Sequence, residues 1–289
     1  MKNKTAIIGA NGQLGSDLSK IYDDAVKLTR KELDVTNLQM CRKVLKDIKP
    51  DVIINCAAYV RVDDAEIFPL EALSVNSIGA KNVAIVSEEL KATNVYISTD
   101  YVFDGNKNVP YNENDQPNPI NVYGMSKYFG ECFTQSYSNN HYIFRVSSLF
   151  GKAGASGKGG NFVDTMVKMA ENKEQIRLVD DVIMSPTYTK DSAFLIKSLI
   201  EKNPEFGIYH LNNSGQCSWY EFATEIFKVM NLNPDIKIID SKDLDRKAKR
   251  PMFSALDNQK LQKLGVCPKD WKSGIREYLK EKIPRFNYL

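Results

Sequence analysis

Tyr123 and Lys127 stand four residues apart in the stretch Tyr123-Gly124-Met125-Ser126-Lys127. On a helix this spacing puts both side chains on one face, about 6 Å apart along the axis. An ammonium beside a phenol favours the phenolate, so Lys127 is expected to lower the Tyr123 pKa from its usual value of about 10. Such a phenol can exchange a proton with a substrate oxygen near neutral pH. A solvated surface pair has the same spacing, so the pattern takes its meaning from what precedes it. Upstream, Val95 to Ser98 reads as a strand and delivers Thr99 to its carboxyl end, where open parallel sheets bind ligands. The Thr99 hydroxyl could bond a substrate oxygen there or serve only as a turn residue.

The elements that would carry these groups begin at the N-terminus. The apolar run Thr5 to Ile8 stops at Gly9-Ala10-Asn11-Gly12-Gln13-Leu14-Gly15, and Leu14, Leu18 and Ile21 then follow with helical spacing. This is strand, glycine turn, helix. The glycines fall as GxxGxxG rather than GxGxxG, but in either form small residues let the backbone approach a pyrophosphate at the helix N-terminus. A second strand over Ala25 to Leu28 ends in Thr29-Arg30-Lys31, where a cofactor lacking the 2′-phosphate usually meets an acid. Hydroxyl and guanidinium suit a 2′-phosphate, which favours NADP(H) over NAD(H); the competing reading takes Arg30 and Lys31 as ordinary surface cations. Asp34 could reach an adenine or cap the helix beginning near Asn37.

Asp51 to Asn55 is a further strand, followed by the small residues Cys56-Ala57-Ala58. One long helix is expected over Pro69 to Leu90, with Asn76 inside it either bracing the site or solvated. Tyr142 to Val146 and Ile208 to Leu211 read as strands, and Phe162 to Ala170 and Trp219 to Met230 as helices. The glycine-rich stretch Gly151 to Gly160 reads as a loop or lid, and Asp245 to Arg250 as a basic run, usually a solvated face, that could clamp a phosphate. Strands alternating with helices through residue 150 predict an α/β fold with a doubly wound parallel sheet.

A chain of 289 residues, 43% apolar and 26% charged, has an ordinary globular composition. Its net charge of +3 is too small to argue for nucleic acid or a membrane surface. No apolar stretch approaches the roughly 18 residues of a membrane span. The five cysteines are scattered, without a CxxC or a Cys/His cluster, so neither a disulfide framework nor a zinc site is expected. These features predict a reduced, cytoplasmic protein.

Taken in order, Gly9/Gly12/Gly15, Thr99 and Tyr123/Lys127 resemble the extended short-chain dehydrogenase/reductases. STDYVFDG from Ser98 and NVYGMSK from Asn121 narrow the resemblance to the dTDP-4-dehydrorhamnose reductases, as do DVIINCAAY, VDDAE, GGNFVDTM, GIYHLNN and RPMFSALD. The resemblance runs through essentially the full length. It implies a Rossmann-type domain over residues 1–150, with elements returning near 186–212, and an interleaved smaller α/β substrate domain over 151–289. It implies reduction of the 4-keto group of a dTDP-4-keto-6-deoxyhexose by NADPH or NADH.

Under that resemblance Tyr123 is the proton donor, Lys127 holds the nicotinamide ribose, and Thr99 bonds the keto oxygen or its neighbour with Asp100 beside it on the sugar. Gly12, Gln13 and Leu14 line the pyrophosphate, Asp34 and Val35 the adenine, and Ala57, Ala58 and Tyr59 the centre of the dinucleotide. Ser148, Asn161 and Arg250 fall to the substrate. A homodimer is compatible with it. Some relatives bring a Mg²⁺ to a subunit interface near the segment that holds Glu66, but one carboxylate defines no metal site. The chain departs from the family pattern where a Trp is usual and Ser148 stands, and at Asp181-Val182-Ile183-Met184. These departures leave two other readings open. One is a reductase of another nucleotide-linked ketosugar. The other is a non-catalytic, dinucleotide-binding subunit like the regulatory subunit of methionine adenosyltransferase.

Overall fold

Thr5–Ile8 forms β1, and its side chains divide between two apolar clusters: Ile7 enters one, Ala6 and Ile8 the other. The strand is therefore buried on both faces, as a parallel sheet flanked by helices requires. The computed structural model describes residues 3–154 and 160–283. After β1 come α1 (Gln13–Ile21), β2 (Val26–Leu28), α2 (Leu38–Ile48), β3 (Val52–Asn55), α3 (Val62–Ile67), α4 (Pro69–Leu73), α5 (Gly79–Leu90), β4 (Thr93–Thr99), α6 (Val122–Tyr137) and β5 (His141–Val146). There follow β6 (Leu149–Phe150), α7 (Phe162–Glu171), β7 (Ile176–Val179), β8 (Ile183–Met184), β9 (Thr187–Tyr188), α8 (Thr189–Lys202) and β10 (Gly207–His210). The last elements are β11 (Cys217–Ser218), α9 (Trp219–Met230), β12 (Ile236–Ile239), α10 (Gln259–Lys263) and α11 (Trp271–Lys282).

Six strands form one parallel sheet in the order β10-β5-β4-β3-β1-β2. The order reverses between β1 and β3, which opens a crevice at the carboxyl ends of those strands. Leu14 and Leu18 of α1 and Leu195, Ile196 and Leu199 of α8 cover one face; Leu45 of α2 and Val83 and Val86 of α5 cover the other. A second core gathers Val163 of α7, Phe222 and Ile226 of α9, and Ile275 and Tyr278 of α11. It is tied by short strand pairs: β6 with β9 and β7 with β12, both parallel, and β8 with β11, antiparallel.

The helix expected over Pro69 to Leu90 is continuous but not uniform. A π-helical turn, Ser74–Ile78, separates α4 from α5 and holds Asn76, which is fully buried. Such turns are frequent at functional sites. Of the expected loop Gly151 to Gly160, residues 155–159 lie outside the described residues. No helix among the described residues is long and apolar enough to cross a membrane.

Candidate active site

The glycine turn after β1 is shaped by close approach. Gly9 has φ +75°, and a Cβ there would stand 2.8 Å from the Ala57 nitrogen. At Gly15 a Cβ would stand 2.2 Å from the Gly9 carbonyl oxygen, so Gly15 sets the packing of α1 on β1 and does not itself line the cavity. Gly12 is the N-cap of α1; no side chain caps that helix and no acid lies in its first turn. Its first N–H groups are therefore open to an anion.

Tyr123 and Lys127 lie in the first turns of α6, where Asn121 caps the helix by accepting from the Gly124 N–H at 2.7 Å. Glu66 accepts the Val122 N–H at 2.8 Å, which puts a carboxylate at the positive end of the helix. Gly124 and Gly130 let α6 lie close against its neighbours: a Cβ would meet the Tyr101 carbonyl oxygen at 2.2 Å and the Tyr96 hydroxyl at 2.1 Å, respectively. Asn76 fixes the same turn from the other side. Its amide accepts from the Tyr59 N–H at 2.8 Å, donates to the Tyr59 carbonyl at 3.0 Å and donates to Ser126 Oγ at 2.9 Å. Of its two readings, bracing is the one observed.

These elements enclose one cavity of about 950 Å³. Arg30, Asp34 and Val35 line one end, Gly9, Gly12, Gln13 and Leu14 the glycine turn, and Ala57, Ala58 and Tyr59 the middle. Thr99, Asp100, Tyr123 and Lys127 follow, and then Ser148, Asn161, Phe162 and Trp219. The volume lies at the top of the range of roughly 300–1,000 Å³ for a site holding one small ligand. The buried Gln13 Oε1, on the first residue of α1, has no hydrogen-bond partner among the described residues. A bare helix N-terminus, an unpartnered amide and a glycine cradle at a sheet's switch point fit a dinucleotide.

The electrostatics differ from the expectation. Burial raises the Tyr123 phenol well above its usual range, against a lowering hydrogen bond from Thr99; Asp100 and Tyr101 raise it further. Lys127 is not among the groups acting on it. Its Nζ donates to the Ile97 carbonyl and lies 4.3 Å from the Tyr96 ring centroid. Burial pushes the ammonium down to about 7, against the opposing pull of Glu131 and Cys56. Shared helical spacing brings the two residues to one cavity, but desolvation, and not one acting on the other, sets the ionisation of both.

Several other placements are decided by local bonds. Asn37, not Asp34, caps α2, by accepting from the Met40 N–H. Asp34 accepts from the Thr36 N–H and hydroxyl and pairs with Arg30 at 3.3 Å. Arg250 does not line the cavity: it donates to Asp63 at 2.7 Å and to the Ala248 carbonyl at 3.0 Å, tying the basic run to α3. Asn161 caps α7 and donates to the Gly151 carbonyl and Tyr278 hydroxyl. Ser148 lines the cavity in a left-handed conformation, φ +43°. The departing segment 181–184 lies outside the cavity; Asp181 accepts from Ser241. Among the described residues, no three His, Cys, Asp or Glu side chains gather as a metal site would need.

The RmlD substrate binding domain profile matches residues 3–283 of this chain. The chain belongs to that family. A dTDP-4-dehydrorhamnose reductase from Bacillus anthracis, solved in complex with NADP, superposes with a TM-score of 0.91 at 39% identity, covering 97% of this chain and 100% of that one. Spore coat polysaccharide biosynthesis protein SpsK of Bacillus subtilis is 38% identical over 283 residues, 96% of this chain and 98% of the relative. A dTDP-4-dehydrorhamnose reductase of Aggregatibacter actinomycetemcomitans is 38% identical over 287 residues, 93% of this chain and 96% of the relative.

For this RmlD-family chain, sequence reasoning missed several cavity features. Phe162 and Trp219 open α7 and α9, and their rings meet edge to face at 4.6 Å in the wall beyond Ser148. Cys56 lines the cavity, and burial raises its thiol to about 12. Position at a helix start was a signal for the aromatic pair; Cys56 followed from the strand end already identified.

Proposed function

We propose that this chain reduces the 4-keto group of a dTDP-linked 6-deoxyhexose, converting dTDP-4-dehydrorhamnose to dTDP-L-rhamnose, with NADPH preferred and NADH as the alternative reductant. The observation that carries the reading is the convergence of Thr99, Tyr123 and Lys127 on a cavity that also holds the α1 N-terminus. The bound dinucleotide would supply hydride to the carbonyl carbon. Gly12, Gln13 and Leu14 would take its pyrophosphate, Asp34 and Val35 its adenine, and Ala57 to Tyr59 its centre. Tyr123 gives the proton to the nascent alkoxide. Its raised pKa keeps the phenol protonated, as a donor must be. Lys127 holds the ribose beside it, and Ser148 and Asn161 face the sugar nucleotide.

We divide the chain into a cofactor-holding part, residues 1–150 with elements returning near 186–212, and a substrate-holding remainder. The five cysteines are all free thiols, which suits a reducing cytoplasm and a place in polysaccharide precursor synthesis. A homodimer is part of the reading: Phe68, Leu70, Met125 and Phe129 leave apolar surface exposed on α4, its leading residue and α6. Sedimentation at the mass of a single 32.7 kDa chain removes that part.

The test is loss of reduced-nicotinamide absorbance with NADPH and dTDP-4-dehydrorhamnose. Turnover only with a GDP- or CDP-linked ketosugar selects the second reading, which Ser148 favours by offering a hydroxyl where the family pattern has an apolar wall. Dinucleotide binding without turnover on any ketosugar selects the regulatory subunit.

Arg30 decides the cofactor preference. It is 82% exposed and, among the described residues, paired only with Asp34, so a 2′-phosphate can draw it away at little cost. Arg30→Ala is expected to raise the KM for NADPH about tenfold and that for NADH less than about twofold. Equal effects on both in steady-state assays would remove the 2′-phosphate assignment.

A further inference from the structure

A nucleotide sugar carries a diphosphate, and that charge needs donors once it leaves water. The helices that start around the space beyond Tyr123 are closed to it. Asn121 caps α6, and Glu66 takes the Val122 N–H. Asn161 with Asp164, and Ser218 with Glu221, form capping boxes that fill the N-termini of α7 and α9 and set an acid at each. The basic run offers no substitute, since Arg250 is bound to Asp63 away from the cavity.

Among the described residues, three cations line the cavity: Arg30, Lys127 and Arg61. Arg30 stands at the adenine end beside Asp34. Lys127 is buried and gives its Nζ to the Ile97 carbonyl. Arg61 is left. It is the N-cap residue of α3, but its side chain caps nothing. Its guanidinium carbon stands 5.1 Å from the Tyr59 ring centroid, Nη2 donates to the Tyr59 hydroxyl at 3.4 Å, and Nε lies 3.3 Å from Asp64 Oδ2. Nη1 has no partner among the described residues. The Arg61 and Asp64 side chains are 46% and 41% exposed, so their pairing is worth little and yields to a ligand of higher charge. The support beneath the guanidinium is fixed. Both backbone groups of Tyr59 are bonded to Asn76, Asn76 holds Ser126, and the Ser126 hydroxyl donates to the Tyr123 carbonyl at 2.7 Å.

We propose that Arg61 binds the diphosphate of the nucleotide sugar, leaving Asp64 for the phosphate oxygens while it stays stacked on Tyr59. The inference rests on the reduction proposed above. In a 4-keto pyranose C1 lies across the ring from C4, so a sugar with C4 at Tyr123 turns its diphosphate away from the phenol. A half-exposed guanidinium, tied through Tyr59 to the turn that carries Tyr123, stands at the mouth of the cavity to receive it. No charge develops on the diphosphate during hydride transfer, so these bonds are as strong in the ground state as in the transition state. Arg61 therefore contributes to KM and not to kcat. It also gives the site a reason to take a sugar carried on a nucleoside diphosphate rather than the free sugar.

The test is Arg61→Gln beside Arg61→Lys, both at an exposed position where the core is untouched. With NADP⁺ saturating, calorimetric titration of R61Q with dTDP is expected to show affinity lowered about tenfold, while thymidine, read by competition, stays within about twofold. R61K keeps a point charge without the planar fork, so its loss should be about threefold. In turnover, the KM of R61Q for dTDP-4-dehydrorhamnose should rise about tenfold with kcat within about twofold. Its NADPH affinity, read by fluorescence, should not change. Equal losses for dTDP and thymidine mean that the side chain only shapes the cavity, and overturn the proposal; so does no loss for dTDP. A loss confined to NADPH gives Arg61 to the cofactor's pyrophosphate and overturns the assignment to the substrate. Failure of the unaltered protein to reduce any ketosugar refutes the proposed reaction instead, and the dTDP and thymidine titrations, which need no turnover, still decide the role of Arg61.

Discussion

Tyr123→Phe is expected to lower kcat by about a thousandfold, within the range that removal of a positioned acid costs, while NADPH affinity changes little. The loss follows from the wall around the phenol. Thr99, Asp100 and Tyr101 surround it, and none of them can replace its proton at the site facing the cavity. The ring itself should stay in place, since it meets Tyr101 edge to face at 5.9 Å and Phe keeps that contact. Stopped-flow turnover with a parallel fluorescence titration of NADPH separates the two effects. A fall in affinity as large as the fall in kcat would make the phenol a structural group.

Lys127→Met should produce two changes of opposite sign. Activity falls by about a hundredfold or more with loss of the positioned ammonium, and stability rises. Burial has pushed the Lys127 pKa from 10.5 down to about 7. Between those values the unfolded chain binds a proton that the folded chain does not, so stability climbs with pH across the window. Well below pH 7 both states are protonated, and the whole cost of the buried cation is present. Methionine keeps the stem and removes the charge, losing the donor to the Ile97 carbonyl, the contact with the Tyr96 ring and the attraction to Glu131. The midpoint of thermal unfolding is expected to rise by about 5 °C at pH 6 and by less as the pH approaches 10. A midpoint that falls at pH 6 would mean that the bond to Ile97 outweighs desolvation.

How far the sequence foretold this site depends on the range of the forces involved. β1, the glycine turn and α1 were legible because a strand period, three small residues and Leu14/Leu18/Ile21 all act within a few turns of chain. Tyr123 and Lys127 were legible as a pair for the same reason. Their ionisation was not, because it is set first by burial, which comes only with the packing of α6 against β4, and then by Thr99, Asp100 and Tyr101 at the phenol and by Glu131 and Cys56 at the ammonium. The π-turn at Asn76 left no trace in the apolar spacing, since one extra residue in a helical turn shifts the pattern less than the pattern's own scatter. Asp34 and Asn37 both suited a cap, and only the bond to Met40 chose between them. The Asp100 carboxyl meets Ser147 and Ser254 from distant parts of the chain, a convergence no local reading could supply. Arg250 was matched to a ligand by its motif, and its pairing with Asp63 needed the fold.

The order of the central sheet bears on how the molecule is made. β5 lies between β4 and β10, yet β10 is read out some sixty residues after it, beyond α7 and the first short strands of the second core. Until that segment leaves the ribosome, β5 presents an unpaired edge, and Phe144 lacks the cover that Tyr209 and Leu211 later provide. Translation must therefore carry an incomplete central sheet for a long stretch, and severing the chain at its midpoint would not release two self-sufficient pieces.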